Sequence, residues 1–122
     1  MRYTKFAWKV VYVYRDDMQW PRQMRYFSAC CAPWATEYAP GKITRRNQRC
    51  GPLCLFATKG AAEVFCASRV GGYCIFRVAY RSSRATSIWS PDGSRRVRVR
   101  GDQLPPGTVL ADEVYVLPKQ GV

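Results

Sequence analysis

The chain contains no histidine. That absence removes Ser–His and Cys–His nucleophile pairs, the commonest proton shuttle near neutral pH and the imidazole metal ligand. Acids are scarce: three Glu and five Asp stand against 20 Lys plus Arg, for a formal net charge of +12 over 122 residues. Two acidic pairs, Asp16-Asp17 and Asp112-Glu113, are adjacent in sequence. Neighbours on a strand point to opposite faces, so both pairs read as turn and surface charges and not as a two-carboxylate site. Gly71-Gly72 is too short to cradle a phosphate. No apolar run approaches the roughly 18 residues of a membrane-spanning helix. These absences weigh against an enzyme working by ordinary acid–base chemistry. They lead to the expectation of no cofactor, no catalytic set and no membrane partner.

What is present describes a folding domain. The chain is 48% hydrophobic and 14% aromatic, values outside the range of disordered sequence. Its length suits one domain, residues 1–122, with enough core to fold without disulfides or metal. Fifteen of the basic residues are Arg and five are Lys, and the pI is about 9.9. Guanidinium offers a planar fork of donors that matches phosphate and stacks on bases, so the bias points to polyanions; a GC-rich genome produces the same bias with no physical cause. Lys5 and Lys9 interrupt the N-terminal apolar stretch, and no small-residue cleavage site follows, which reads as an intracellular, cytoplasmic chain with cysteines kept as thiols. Cys30 or Cys31 with Cys50 and Cys54 makes a poor zinc spacing, since no CxxC pair occurs. Cys66 and Cys74 sit among apolar residues and read as small core fillers.

The pattern along the chain predicts an α+β fold: a mostly antiparallel sheet of about six strands and one principal helix over 59–69. Lys5 to Tyr14, rich in β-branched and aromatic residues, is the strongest strand, and Met24 to Ala32 is extended enough to return beside it. Residues 33–49 mix Pro, Gly and basic side chains and read as a mobile basic loop, with a short strand conceivable at Lys42 to Thr44. Pro52 to Ala57 forms a short buried strand, after which Thr58 caps the helix and Gly71-Gly72 stops it. Tyr73 to Tyr80 is another strand. Ser87 to Trp89 and Arg95 to Arg100 flank a Pro-Asp-Gly turn, and Val109 to Leu117 closes the chain after Leu104-Pro105-Pro106-Gly107.

The Tyr38, Gly41 and Thr44 loop, the Pro52-to-Phe56 run leading into Ala61, Ala62 and Phe65, and above all Leu104 to Val114 (LPPGTVLADEV) together resemble a family of small proteins from phage and bacterial genomes. That resemblance implies phage biology without naming an activity. The Leu104-Pro105-Pro106-Gly107-Thr108 step also resembles the end of ADP-ribosyltransferase folds, which implies a nucleotide-binding shape. Those enzymes carry a catalytic Glu shortly before the step; here Arg98 to Gln103 supply none, so the likeness extends to shape and not to transfer chemistry.

The sharpest feature is Arg95-Arg96-Val97-Arg98-Val99-Arg100. On a strand, Val97 and Val99 take one face while Arg96, Arg98 and Arg100 line the other about 7 Å apart, near the scale of phosphate spacing. From Arg69 to Arg100 inclusive there are eight Arg, no Lys and one acid, Asp92, interleaved with Tyr73, Phe76, Tyr80 and Trp89 as stacking candidates. Arg77, Arg81 and Arg84 belong to this stretch. A second basic cluster, Lys42, Arg45, Arg46 and Arg49, sits in the 33–49 segment and can close over the same ligand. The plain alternatives are that Arg guards an exposed strand edge and that the aromatics are core. The favoured partner is RNA or single-stranded nucleic acid. An acidic or RNA-bearing host protein, as for a phage anti-defence inhibitor, and a small nucleotide ligand are the rivals.

Overall fold

The first strand organises the molecule. β1 (Lys5–Asp16) turns Ala7, Lys9 and Val11 to one side and Trp8 and Val10 to the other, as period-two geometry requires, and every one of these is buried or half-buried. The computed structural model describes residues 3–16, 23–28, 36–46, 51–92 and 95–118. Along one edge β1 pairs with β5 (Tyr73–Ser82), from Lys5 opposite Tyr80 to Tyr12 opposite Tyr73. Its other edge is shared: Trp8 pairs with Phe56 of β4 (Leu53–Phe56), and Val11 to Asp16 pair with β2 (Gln23–Ser28). β8 (Thr108–Val116) lies beyond β5 and divides its far edge likewise, between β4 and the short β3 (Ile43–Arg45). All these pairings are antiparallel, and β1, β4, β8 and β5 close a four-stranded barrel.

The expected α+β class holds, with one α-helix and a main sheet of six strands among the described residues, but that sheet curls shut. The remaining described strands, β6 (Ser87–Asp92) and β7 (Arg95–Arg100), pair among the described residues only with each other, in a separate two-stranded ribbon. Leu53, Leu55, Phe76, Val78, Val114 and Val116 fill the barrel. So narrow a closure leaves little interior, and alanine at positions 7 and 111, both essentially without solvent contact, suits it.

Outside the barrel, α1 (Lys59–Ala67) covers Val10, Phe56 and Ile75 with Ala62 and Phe65. Thr58 caps it as the sequence predicts, its hydroxyl accepting from the Ala61 N–H at 3.1 Å. The helix ends at Ala67, two residues before the predicted limit, with Ser68 as its C-cap, whose N–H and hydroxyl bond carbonyls of the last turn. Pro105 to Thr108 make a turn closed by the Thr108 N–H on the Pro105 carbonyl at 3.2 Å, with Gly107 at φ +84° in the position where a type II turn demands glycine.

Of the segment 33–49, the described part is tied down at two places. Glu37 bridges Phe27 beside β2, where Arg25 donates to its carboxylate at 3.0 and 3.1 Å, and β3 pairs with β8. The Arg25 hydrogen bond and charge hold the Glu37 carboxyl below its ordinary range, against the opposite pull of burial. Positions 33–35 and 47–49, with Arg49, lie outside the described residues, as does the expected extension of the second strand over 29–32.

Candidate nucleic-acid interface

The ribbon's register decides which side chains share a face. Ser87 is opposite Arg100, Trp89 opposite Arg98 and Pro91 opposite Arg96, while Ile88 is opposite Val99 and Ser90 opposite Val97. Directly opposed residues lie on the same face. Trp89, Arg98 and Arg100 therefore stand together on one side, and Ile88, Val97 and Val99 on the other. Arg98 donates from Nε to the Ser87 hydroxyl at 2.9 Å, and Arg100 lies 3.4 Å from the Asp102 carboxylate, an exposed pair. Trp89 is 39% exposed. Arg96 occupies its place in the ladder, but its side chain lies outside the described ones. The base of the ribbon is pinned by the Gly101 N–H on the Thr86 carbonyl at 2.7 Å.

The other predicted basic residues are dispersed, and most are paired. Arg45 lies 3.3 Å from Glu113 and Arg46 lies 3.1 Å from Asp112. A Cβ on Gly51 would sit 3.8 Å from Arg46 Nη2 and 4.0 Å from the Ser87 carbonyl, which places that guanidinium beside the foot of the ribbon. Arg81 lies 3.4 Å from Glu113. Arg77 rests over the rings of Trp8 and Phe6, 4.7 and 5.5 Å from their centroids. Lys42 and Arg84 are exposed, Lys42 ahead of β3 and Arg84 in the connection from β5 to β6. Of the aromatic candidates, Phe76 is core, Tyr73 packs edge-on against Tyr12, and Tyr80 is half-buried, leaving Trp89 as the exposed one.

Glu113 corrects the sequence reading. It is 1% exposed and not a surface charge. The β5–β8 register shifts between Arg81, opposite Glu113, and Ser82, opposite Ala111, so Asp112 is an extra residue in β8. Such a bulge resets the alternation. Ala111 and Val114 both enter the core, and Glu113 is turned to the outer face, where the buried Tyr3 hydroxyl donates to it and Arg45 and Arg81 flank it. Asp112, half-buried, pairs with Arg46.

A second charge escaped the sequence reading. Lys9 lies in the barrel row at 7% exposure, donating to the Cys54 carbonyl at 2.9 Å with its ammonium 5.1 Å from the Tyr38 ring centre. The position of Lys9 between Ala7 and Val11, in step with two inward residues, was the available signal.

Among the cysteines considered for zinc, Cys30, Cys31 and Cys50 lie outside the described residues, and Cys54 is half-buried in β4. Cys66 and Cys74 pack against the apolar clusters, and burial, with the neighbouring Cys66, pushes the Cys74 thiol above its ordinary value.

Fold and site together define a small, strongly basic β-barrel protein with one covering helix and a separate Arg-rich ribbon. No family model, curated protein or solved structure matches the chain.

Proposed function

We propose that this protein binds RNA or single-stranded nucleic acid through the β6–β7 ribbon, by phosphate contacts that tolerate sequence. The observation that carries the reading is the shared face of Trp89, Arg98 and Arg100 on a ribbon that, among the described residues, pairs with no other strand. Guanidinium groups neutralise phosphates, and an exposed indole opposite Arg98 offers a platform on which an unpaired base stacks. The net charge of +12 draws a polyanion toward the molecule from any direction, and the ribbon supplies the place where contact is ordered.

Replacing Trp89 by Ala tests this. Stacking is worth about 1–3 kcal/mol per base, so affinity for a short single-stranded RNA is expected to fall by roughly 5- to 150-fold, with little change for a duplex of equal length. Unchanged single-strand affinity in the variant refutes the stacking assignment. Loss of one acidic host protein with naked-strand affinity intact would move the ribbon to a protein-binding role.

A further inference from the structure

We infer that a cleft at the end of β5, separate from the ribbon face, binds a terminal phosphate monoester, carried by a strand end or by a free mononucleotide. The cleft, about 270 Å³, is lined by Tyr3, Lys5, Tyr80, Arg81, Ser82 and Glu113, with Thr4 at its rim. Its one acid is already occupied. Glu113 is buried, accepts from the Tyr3 hydroxyl, and is flanked by Arg45 at 3.3 Å from β3 as well as by Arg81 at 3.4 Å. Arg45 is not among the lining residues, and its charge offsets that of Glu113, which leaves Lys5 and Arg81 in excess inside the cleft.

The donors are available. Arg81 is 59% exposed and commits one nitrogen to Glu113, out of five N–H donors on a guanidinium. Lys5 Nζ reaches the Ser82 hydroxyl at 2.7 Å, using one of its three hydrogens and placing ammonium and hydroxyl together at the mouth. A monoester carries about −1.5 to −2 charges at pH 7 and three acceptor oxygens, which matches two surplus cations and a hydroxyl; a backbone diester carries about one charge. The volume suits a phosphate with an attached sugar, and Tyr80 lines the cleft beside the two cations.

The test compares, on the full chain, two 3′-labelled RNAs of one sequence bearing a 5′-phosphate or a 5′-hydroxyl, with adenosine 5′-monophosphate as a third probe. The 5′-phosphate is expected to bind about tenfold more tightly, as charge-assisted hydrogen bonds of ordinary strength require. Lys5→Gln, which alters only the cation beside Ser82, is expected to abolish that advantage while the 5′-hydroxyl RNA binds nearly as before. Arg81→Gln should do the same, with its fold checked by circular dichroism because Glu113 loses a partner. Tight binding by the mononucleotide without a strand-end advantage supports the cleft with a free nucleotide as its source. Equal binding of both RNAs together with no mononucleotide binding overturns the cleft and leaves the ribbon untouched. Mononucleotide binding with no affinity for either RNA keeps the cleft and removes the ribbon reading.

Discussion

Gly107→Ala probes the joint on which the barrel and the helix depend. Gly107 holds φ at +84°, and a Cβ there would stand 2.9 Å from Ala61 Cβ on the helix. Two costs combine. An L-residue in the left-handed region loses roughly 1–2 kcal/mol, and a methyl forced against a packed neighbour typically adds about 1–3 kcal/mol. The obstruction cannot swing away, because Ala61 has no rotamer and the Gly107 carbonyl is held by the Ala57 N–H at 2.9 Å. We expect about 2–5 kcal/mol of destabilisation, a large part of the ~5–15 kcal/mol typical of a domain. In urea, at a mid-range slope of about 2 kcal/mol/M, the midpoint should fall by roughly 1–2.5 M at unchanged slope. Gly60→Ala is the matched control: it lies in the helix with nothing within 4 Å of its added methyl, and should be neutral or stabilise by about 0.5–1 kcal/mol. Equal behaviour of the two variants would refute the turn-on-helix packing.

Thr58→Ala removes the hydroxyl that accepts from Ala61, and should cost about 1 kcal/mol in urea unfolding; a loss below ~0.3 kcal/mol would show the cap idle. Glu113→Gln keeps shape but removes the ion pairing with Arg45 and Arg81 and replaces one acceptor oxygen by an NH2 donor, so about 1–2 kcal/mol should be lost; parent-like stability would mean that the buried carboxylate organises nothing. The Cys74 thiol, raised by burial and then by Cys66, should alkylate at pH 8 more slowly than a free cysteine and reach the free rate in urea. Its raised value also fixes a sign: the stability it contributes is full below the unfolded thiol's pKa and is lost as pH rises through the higher folded value, so the protein should weaken on the alkaline side more than Cys74→Ala does.

Local chemistry was readable along the chain, and distant pairing was not. The Thr58 cap and the Arg/Val alternation of β7 are each written in fewer than six consecutive residues, and each forms as expected; the Pro106-Gly107 step, read as a break before the last strand, closes a turn. Barrel closure rests on β5 and β4 both meeting β8, pairings between segments tens of residues apart that no local period reveals. The same reason hid the electrostatics. Arg46 finds Asp112 across 66 positions, and Arg81 shares Glu113 with Arg45 across 32, so cations that read as free in sequence are partly paired in space. One unpaired residue at Asp112 inverted the expectation for Glu113. Lys9 looked like an interruption of an apolar strand because a charge inside a barrel becomes plausible only when the Cys54 carbonyl and the Tyr38 ring are seen around it.

The salt dependence of single-stranded RNA binding by the Arg98→Gln/Arg100→Gln double variant tests the ribbon most directly. Both side chains are exposed, so folding should shift by less than about 0.5 kcal/mol per site. If both guanidiniums meet phosphates, the slope of log affinity against log salt should flatten by up to about 1.4, at ~0.7 for each phosphate no longer neutralised. Lys42→Gln/Arg15→Gln removes the same charge from exposed positions elsewhere and should leave the slope nearly unchanged. Equal flattening in both double variants would contradict the account, because the attraction would then be net charge alone and the ribbon no site.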